Sequence, residues 1–374
     1  MKKILYMCDF FSCLGGTEYY NYTLISSLVQ RKYNLWVLIG EKPINNFWLK
    51  KLISIGVKVS YPEKRCKNNV NRDIERKFVK KIEKELLEWG PEVIYTNPAG
   101  KMIVTWLEHF TGNSIPIVAT EWTTPSVNTE HWYPKNLRNY INKISAYIST
   151  CHKSTIGLRE YLNYSGDIYE IPHIIQKVQN IPDEGHDKGD INAIGCICRL
   201  SAEKGLVYLL GAWKYLSVLN AKATLHIYGE GNEKEHLLEL VNALGIKKTV
   251  FWEGIFEPFC EIDDICRKHI IFVQPSLFES IPTTIIELMA RKKVVISSNV
   301  GGISEIICPA YDDGILVEPA STNALIEAIK YVWDNPNSIS RLSNNARKIY
   351  EEKYDLEKNI NEIINILEKY SRKE

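Results

Sequence analysis

Nowhere in the 374 residues does an apolar run reach the ~18 residues that a membrane-crossing helix requires. The nine cysteines (Cys8, Cys13, Cys66, Cys151, Cys196, Cys198, Cys260, Cys266 and Cys308) are odd in number, scattered, and never spaced CxxC. That excludes the usual signatures of a zinc cluster or disulfide framework and fits reduced thiols in a cytosol. There is no internal repeat, low-complexity tract or base-reading module, so nucleic acid is not an expected partner. The dinucleotide fingerprint GxGxxG is absent as well. Charge of one sign is also lacking overall, with a formal balance of only +1.

What is present is a soluble, globular composition, 45% hydrophobic and 24% charged, in a chain long enough for two domains. The near-neutral total hides an asymmetry. Residues 1–180 carry 24 Lys and Arg against 16 Asp and Glu, a balance of +8, and the remainder carry 22 against 29, a balance of −7. Different partners for the two halves follow. The opening MKKILYMCDFF lacks a small-residue cleavage site and reads as a first β-strand, not a signal peptide.

The most informative stretch is FVQPSLFESIPTTIIELMARKKVVISSNVGGISE, Phe272 to Glu305. A strand leads through Pro275-Ser276 to Glu279 in a turn, and Pro282 has the fixed φ suited to a first helical position. Thr283 to Arg291 reads as a helix with Ile285, Leu288 and Met289 on its apolar face, and Val294 to Ser297 as the next buried strand. Gly301-Gly302 follows, a turn with no Cβ in the way of a bound group. The helix N-terminus at Thr283-Thr284 offers free N–H groups and partial positive charge, an anion site. Glu279 and Glu287 would place two acceptors on its rim, where sugar and ribose hydroxyls need them. The spacing alone is equally compatible with two solvated glutamates around an ordinary strand–turn–helix unit.

Upstream, the strand Ala193–Cys198 runs into Arg199-Leu200-Ser201-Ala202-Glu203-Lys204-Gly205. Two cations five residues apart in such a loop can converge on one diphosphate, the guanidinium forking onto two oxygens and the ammonium supplying a point charge. Gly229 ends the strand Ala223–Tyr228, and Gly254 ends that at Val250–Trp252. In the first half, Lys3 to Asp9 is a strand, followed by Gly15-Gly16 and a helix from about Thr17 to Arg31. Glu121, Trp122 and His173 lie near strand ends, the last within an expected strand 168–175. The helix 71–89 interleaves Ile74, Phe78, Ile82 and Leu86 with six basic residues, either an ordinary surface helix or a contact for anionic lipid.

The run ESIPTTIIE resembles the Glu-x7-Glu motif of GT-B retaining glycosyltransferases of family 4, and FVQPS, NVGGISEII, DDGILVEP and the Arg199-x4-Lys204-Gly205 loop resemble that family too. The resemblance implies an α/β fold of two facing Rossmann-like, doubly wound parallel-sheet domains. The expected boundaries are an acceptor domain at 1–178, a linker at 179–190 and a donor domain at 191–354, with helix 355–374 crossing back. It also implies transfer of a hexosyl unit from a UDP- or GDP-sugar to a saccharide or lipid-linked hydroxyl, with no cofactor or metal. Asp263-Asp264 and Asp312-Asp313 lie outside any phosphate loop. By the resemblance, Arg199, Lys204, Thr283 and Thr284 face the diphosphate with Gly16 and Gly229, Ile281 and Pro282 line the donor, and Gly254 borders the base. Glu287 holds ribose, Glu279 holds the donor sugar, and Gly15, Glu121, Trp122 and His173 border the acceptor. Glu121 or Trp122 stands where the family usually has histidine, and His173 where asparagine is common. A sugar-nucleotide epimerase and a non-enzymatic sugar-binding protein are the alternative classes.

Overall fold

A computed structural model describes residues 2–9, 11, 15–63, 72–97, 100–109, 115–178, 189–256 and 261–372. The chain divides into two compact units, Met1–Ile174 with Leu356–Glu374, and Ile175–Asp355. Most of the expected linker, 179–188 including His186, lies outside the described residues.

The first unit contains β1 (Lys3–Cys8), α1 (Gly16–Gln30), β2 (Asn34–Ile39), α2 (Phe47–Ser54), β3 (Lys58–Ser60), α3 (Arg72–Trp89), β4 (Val93–Thr96) and α4 (Lys101–His109). It continues through β5 (Ile117–Glu121), β6 (Ala146–Ser149), α5 (His152–Ile156) and β7 (Asp167–Glu170). These strands form a wholly parallel sheet in the order β3-β2-β1-β4-β5-β6-β7. Parallel strands buried on both faces read as continuous apolar runs, which is why KILYMC, NLWVLI and IVATE were legible. The expected strand at 168–175 stops at Glu170, because Pro172 has no N–H to continue a ladder. Ile171 N–H still donates to Ser149 O of β6 at 2.9 Å, and Ile174 is buried beyond the strand.

The second unit runs β8 (Ala193–Ile197), α6 (Leu206–Leu219), β9 (Thr224–Tyr228), α7 (Lys234–Leu244), β10 (Val250–Gly254), α8 (Ile262–Lys268), β11 (Ile271–Gln274) and α9 (Thr283–Ala290). After these come β12 (Val294–Ser298), α10 (Ile303–Ile306), β13 (Ile315–Val317), α11 (Thr322–Asp334) and α12 (Asn337–Lys353). Its sheet is again parallel, in the order β10-β9-β8-β11-β12-β13. The last helix, α13 (Leu356–Tyr370), returns to the first unit and buries Ile360, Ile363 and Leu367 there.

In both sheets the strand order reverses at one place, between β1 and β4 and between β8 and β11. Loops leaving opposite directions there open a crevice at the strands' carboxyl ends, the usual ligand position of an open α/β sheet. In the second unit, β8 and β11 approach closely because Gly195 has no side chain. A Cβ there would stand 2.5 Å from the Phe272 ring. Gly195→Ala is therefore expected to destabilise this unit by about 1–3 kcal/mol through overpacking. Urea unfolding checks it: the midpoint should fall while the slope stays constant.

Candidate functional site

The ends of β8 and β11 and the loops after them are tied together by hydrogen bonds. Leu277 N–H donates to the Glu203 carbonyl at 2.8 Å, and Gln274 Nε2 donates to the Ile197 carbonyl at 2.7 Å. Gly205 has φ +63°, and a Cβ there would run into the Pro275 carbonyl, so glycine is required on both counts. This seam puts Lys204 beside Glu279, with Nζ donating to Oε1 at 2.6 Å. The side chains are only 15% and 11% exposed. Ser276 Oγ donates to the same Oε1 at 2.8 Å. Glu279 is the only hydrogen-bond partner of the Lys204 ammonium among the described residues, leaving two of its three N–H donors uncommitted. Glu279 Oε2 is likewise left to accept.

Arg199 is arranged differently. Its side chain is 69% exposed and reaches Glu203 Oε1 at 3.2 Å. Ser201 Oγ donates to that oxygen at 2.6 Å. Burial opposes ionisation of Glu203, but the Ser201 hydroxyl and the Arg199 and Lys204 charges hold its carboxyl below the ordinary range. The structure thus joins Lys204 to Glu279 and keeps Arg199 at the solvent edge of the same loop.

Helix α9 starts next to this pair. Thr283 is the first helical residue, as the sequence suggests, and Pro282 is its N-cap in extended conformation and not the first helical position. Its φ of −72° fits either place, but its ψ of 112° lies outside the helix. No side chain caps this end and no acidic residue sits in its first turn, so the N–H groups of Thr283 and Thr284 stay without intrahelical acceptors. Glu287, one turn in, is 7% exposed. Arg291 follows it at i+4, donating Nη1 to the Glu287 carbonyl at 3.1 Å and Nε to Asp263 at 2.6 Å. Ile281 is buried beneath Gly302, and a Cβ at Gly301 would collide with the Glu279 carbonyl. Gly229 at φ +141° seats against the Cys198 carbonyl, and its N–H donates to Gly254 O at 2.7 Å. Ser276 and Glu203, not singled out from the sequence, complete the seam; Ser276 at i−3 from Glu279 was the available clue.

In the first unit, Gly15 caps α1 and Gly16 opens it, but Glu18 supplies an acidic group to that first turn and is 2% exposed. That helix N-terminus already has its own carboxylate, so a phosphate there would meet like charge. Glu121 ends β5 fully buried, accepting from Thr123 N and Oγ1 at 2.8 and 2.7 Å, while Oε2 has no partner among the described residues. Burial pushes its carboxyl up to about 7. His173 is 4% exposed with neither ring nitrogen hydrogen-bonded among the described residues, its ring 4.7 Å from that of Tyr20. Burial lowers it to about 3, so it stays neutral near pH 7. Trp122 is buried with its ring 5.0 Å from Tyr20. Among the described residues, no three His, Cys, Asp or Glu side chains converge on a metal-sized site.

Two doubly wound parallel sheets, each with one reversal of strand order, share the GT-B fold. Residues 178–349 match the family described as glycosyl transferases group 1. The chain is 23% identical over 376 residues to an uncharacterised glycosyltransferase of Haemophilus influenzae, covering 98% of this chain and 100% of the relative. It is 27% identical over 158 residues to the alpha-D-kanosaminyltransferase of Streptomyces kanamyceticus, a match covering 42% of this chain and only 40% of that protein. Anabaena HepE, solved in complex with UDP-glucose, shares the fold at TM-score 0.79 and 18% identity, over 99% of this chain and 100% of that one.

Glu121 makes a testable mark on stability. Its folded pKa, about 7, exceeds the ordinary glutamate value of about 4.5, so the folded state holds a proton that the unfolded chain releases between those values. Stability should fall as pH rises through that window, by up to about 3 kcal/mol at its top. Thermal unfolding from about pH 4 to pH 8 should show this slope in the wild type and lose it in Glu121→Gln.

Proposed function

We propose that the chain is a retaining glycosyltransferase that moves a hexosyl unit from a UDP- or GDP-sugar to the hydroxyl of a saccharide or lipid-linked acceptor. The observation that carries this reading is the Lys204–Glu279 pair, half-committed on both sides, set beside the uncapped N-terminus of α9. In the reaction the bond from the sugar's anomeric carbon to the diphosphate oxygen breaks, and a bond from the acceptor oxygen to that carbon forms. Negative charge grows on the leaving diphosphate. The spare N–H donors of Lys204 and the amides of Thr283 and Thr284 meet that charge as preorganised electrostatics, with Arg199 closing from the exposed side. Glu279 Oε2 accepts from sugar hydroxyls, and Glu287 from the ribose. The acceptor proton passes to the departing phosphate oxygen on the same face, which preserves anomeric configuration and needs no enzymic nucleophile. Retention rests on the Glu279-x7-Glu287 resemblance, and the nucleotide on the fold shared with a UDP-glucose complex. No metal is required, since cationic side chains and helix amides carry the compensation.

A place at the cytoplasmic membrane surface is compatible with α3. No described helix is long and apolar enough to cross a membrane. Phe78, Val79, Ile82 and Leu86 are buried against the first unit's core, so that face is not available to enter lipid. Arg76, Lys77, Lys80, Lys81 and Lys84 are exposed, so the contact would be electrostatic and salt-sensitive.

Screening UDP- and GDP-sugars for nucleotide release with saccharide acceptors tests the reading. The wild type should turn over in the presence of EDTA, and Lys204→Ala should lose ~10²-fold or more in kcat/KM. NMR of the product should show the donor's anomeric configuration. An inverted product would overturn the mechanism. An epimerised sugar or sugar nucleotide formed without acceptor would instead favour the epimerase.

A further inference from the structure

Immediately before the Arg199 loop, Cys196 and Cys198 lie on the same side of the chain, as residues i and i+2 of an extended segment do. Their sulfurs are 3.9 Å apart. Cys196 is fully buried in the second unit's core, whereas Cys198, just past the end of β8, is only partly covered. A disulfide needs about 2.05 Å between sulfurs, so closing the pair asks for roughly 1.9 Å of movement.

Where that movement falls is decided by the sheet. Ala193 to Ile197 is held along β9 by register pairing, and Gly195 is also paired to Phe272 of β11. Beyond Ile197 the continuous ladder gives way to separate bonds, among them Glu233 N–H to Leu200 O at 3.0 Å and Leu277 N–H to Glu203 O at 2.8 Å. Cys198 N–H donates to Tyr228 O at 3.1 Å and Leu200 N–H to Glu230 O at 3.0 Å, and the Cys198 carbonyl rests on Gly229. Closing the pair therefore strains the separately bonded segment from Cys198 onward in place of the ladder, and that segment leads straight into Arg199 and Lys204.

We propose that Cys196 and Cys198 form a redox-sensitive dithiol, oxidised by peroxide to an intrachain disulfide that displaces the 199–205 loop. The Cys198 thiolate attacks one peroxide oxygen and the O–O bond breaks, giving a Cys198 sulfenic acid and hydroxide. The Cys196 sulfur then displaces the sulfenic hydroxyl, forming the S–S bond and releasing water as the Cys196 proton joins the leaving group. The two sulfurs give two electrons and the peroxide takes them. The order of attack follows exposure. The adjacent Cys198 sulfur and burial push the Cys196 thiol well above its ordinary range, which leaves Cys198 to meet the oxidant. A ring this small is strained, so dithiothreitol opens it readily. The consequence for catalysis rests on the donor-loop reading above; the disulfide and the loop displacement do not.

The test uses the full chain treated with hydrogen peroxide, alkylated with iodoacetamide and mapped by mass spectrometry without reduction, alongside amide hydrogen exchange. The peptide bearing both cysteines should lose the mass of two hydrogens and take no alkyl group. Exchange across 199–205 should rise several-fold, and dithiothreitol should reverse both changes. Cys198→Ser should show neither, while keeping the exchange pattern of the reduced wild type. Independent alkylation of both thiols after peroxide would overturn the proposal. So would a disulfide that leaves exchange in 199–205 unchanged. Failure of the donor reading would appear elsewhere, as unaltered turnover in Lys204→Ala.

Discussion

The ion pair between Lys204 and Glu279 is the contact on which the second unit's site depends. Two mostly buried opposite charges 2.6 Å apart constrain the loops that carry them, because removing either partner leaves the other uncompensated, at a cost of about 3–5 kcal/mol. The pair forms only because the loops after β8 and β11 close on one another at the reversal of strand order. Gly205 under the Pro275 carbonyl and Gly301 against the Glu279 carbonyl permit that closeness. The pair is also unsaturated, with donors left on the ammonium and an acceptor left on the carboxylate. A structural ion pair gains from full satisfaction, whereas a ligand site needs this remainder.

The two units use the same topology to different electrostatic ends. In the first, Glu18 places a carboxylate in the first turn of α1, so that helix end already carries its own negative charge. In the second, neither α6 nor α9 has an acidic residue in its first turn or a side-chain cap. Helix ends without a cap or first-turn carboxylate therefore lie in the half of the chain with net negative charge, and the bulk balance does not predict the local field. Local geometry outweighs it because helix-end and side-chain fields act within a few ångströms and more distant charges are screened. The first unit's sheet edge instead buries neutral and titrating groups, a protonatable Glu121 and an uncharged His173.

Much of this was legible in the sequence because parallel strands are long apolar words and their following loops are short. The Phe272–Glu305 stretch announced strand, turn, helix and strand in order, and Lys204 and Glu279 were both marked from residue type and spacing. Their direct pairing was not legible, since 75 residues separate them and only the β8–β11 adjacency brings them together. Helix α4 was missed for the same reason. Its first amides are capped by Asp9, with Lys101 N and Met102 N donating at 2.8 Å across more than 90 residues. Helices α2 and α7 were missed because their apolar faces are short and interrupted by lysine and glutamate. His173 looked like an open strand-end residue, but tertiary packing against Tyr20 encloses it.

The central claim is that Lys204 serves a bound diphosphate and not only Glu279. Calorimetric titration of UDP and GDP into wild type, Lys204→Ala and Glu279→Gln separates these roles without knowledge of sugar or acceptor. The account predicts that Lys204→Ala weakens the better nucleotide by about 2–3 kcal/mol, the scale of a charge-assisted bond, while Glu279→Gln, which frees the ammonium from its carboxylate, does not weaken it. Unchanged nucleotide affinity in a folded Lys204→Ala protein would contradict it.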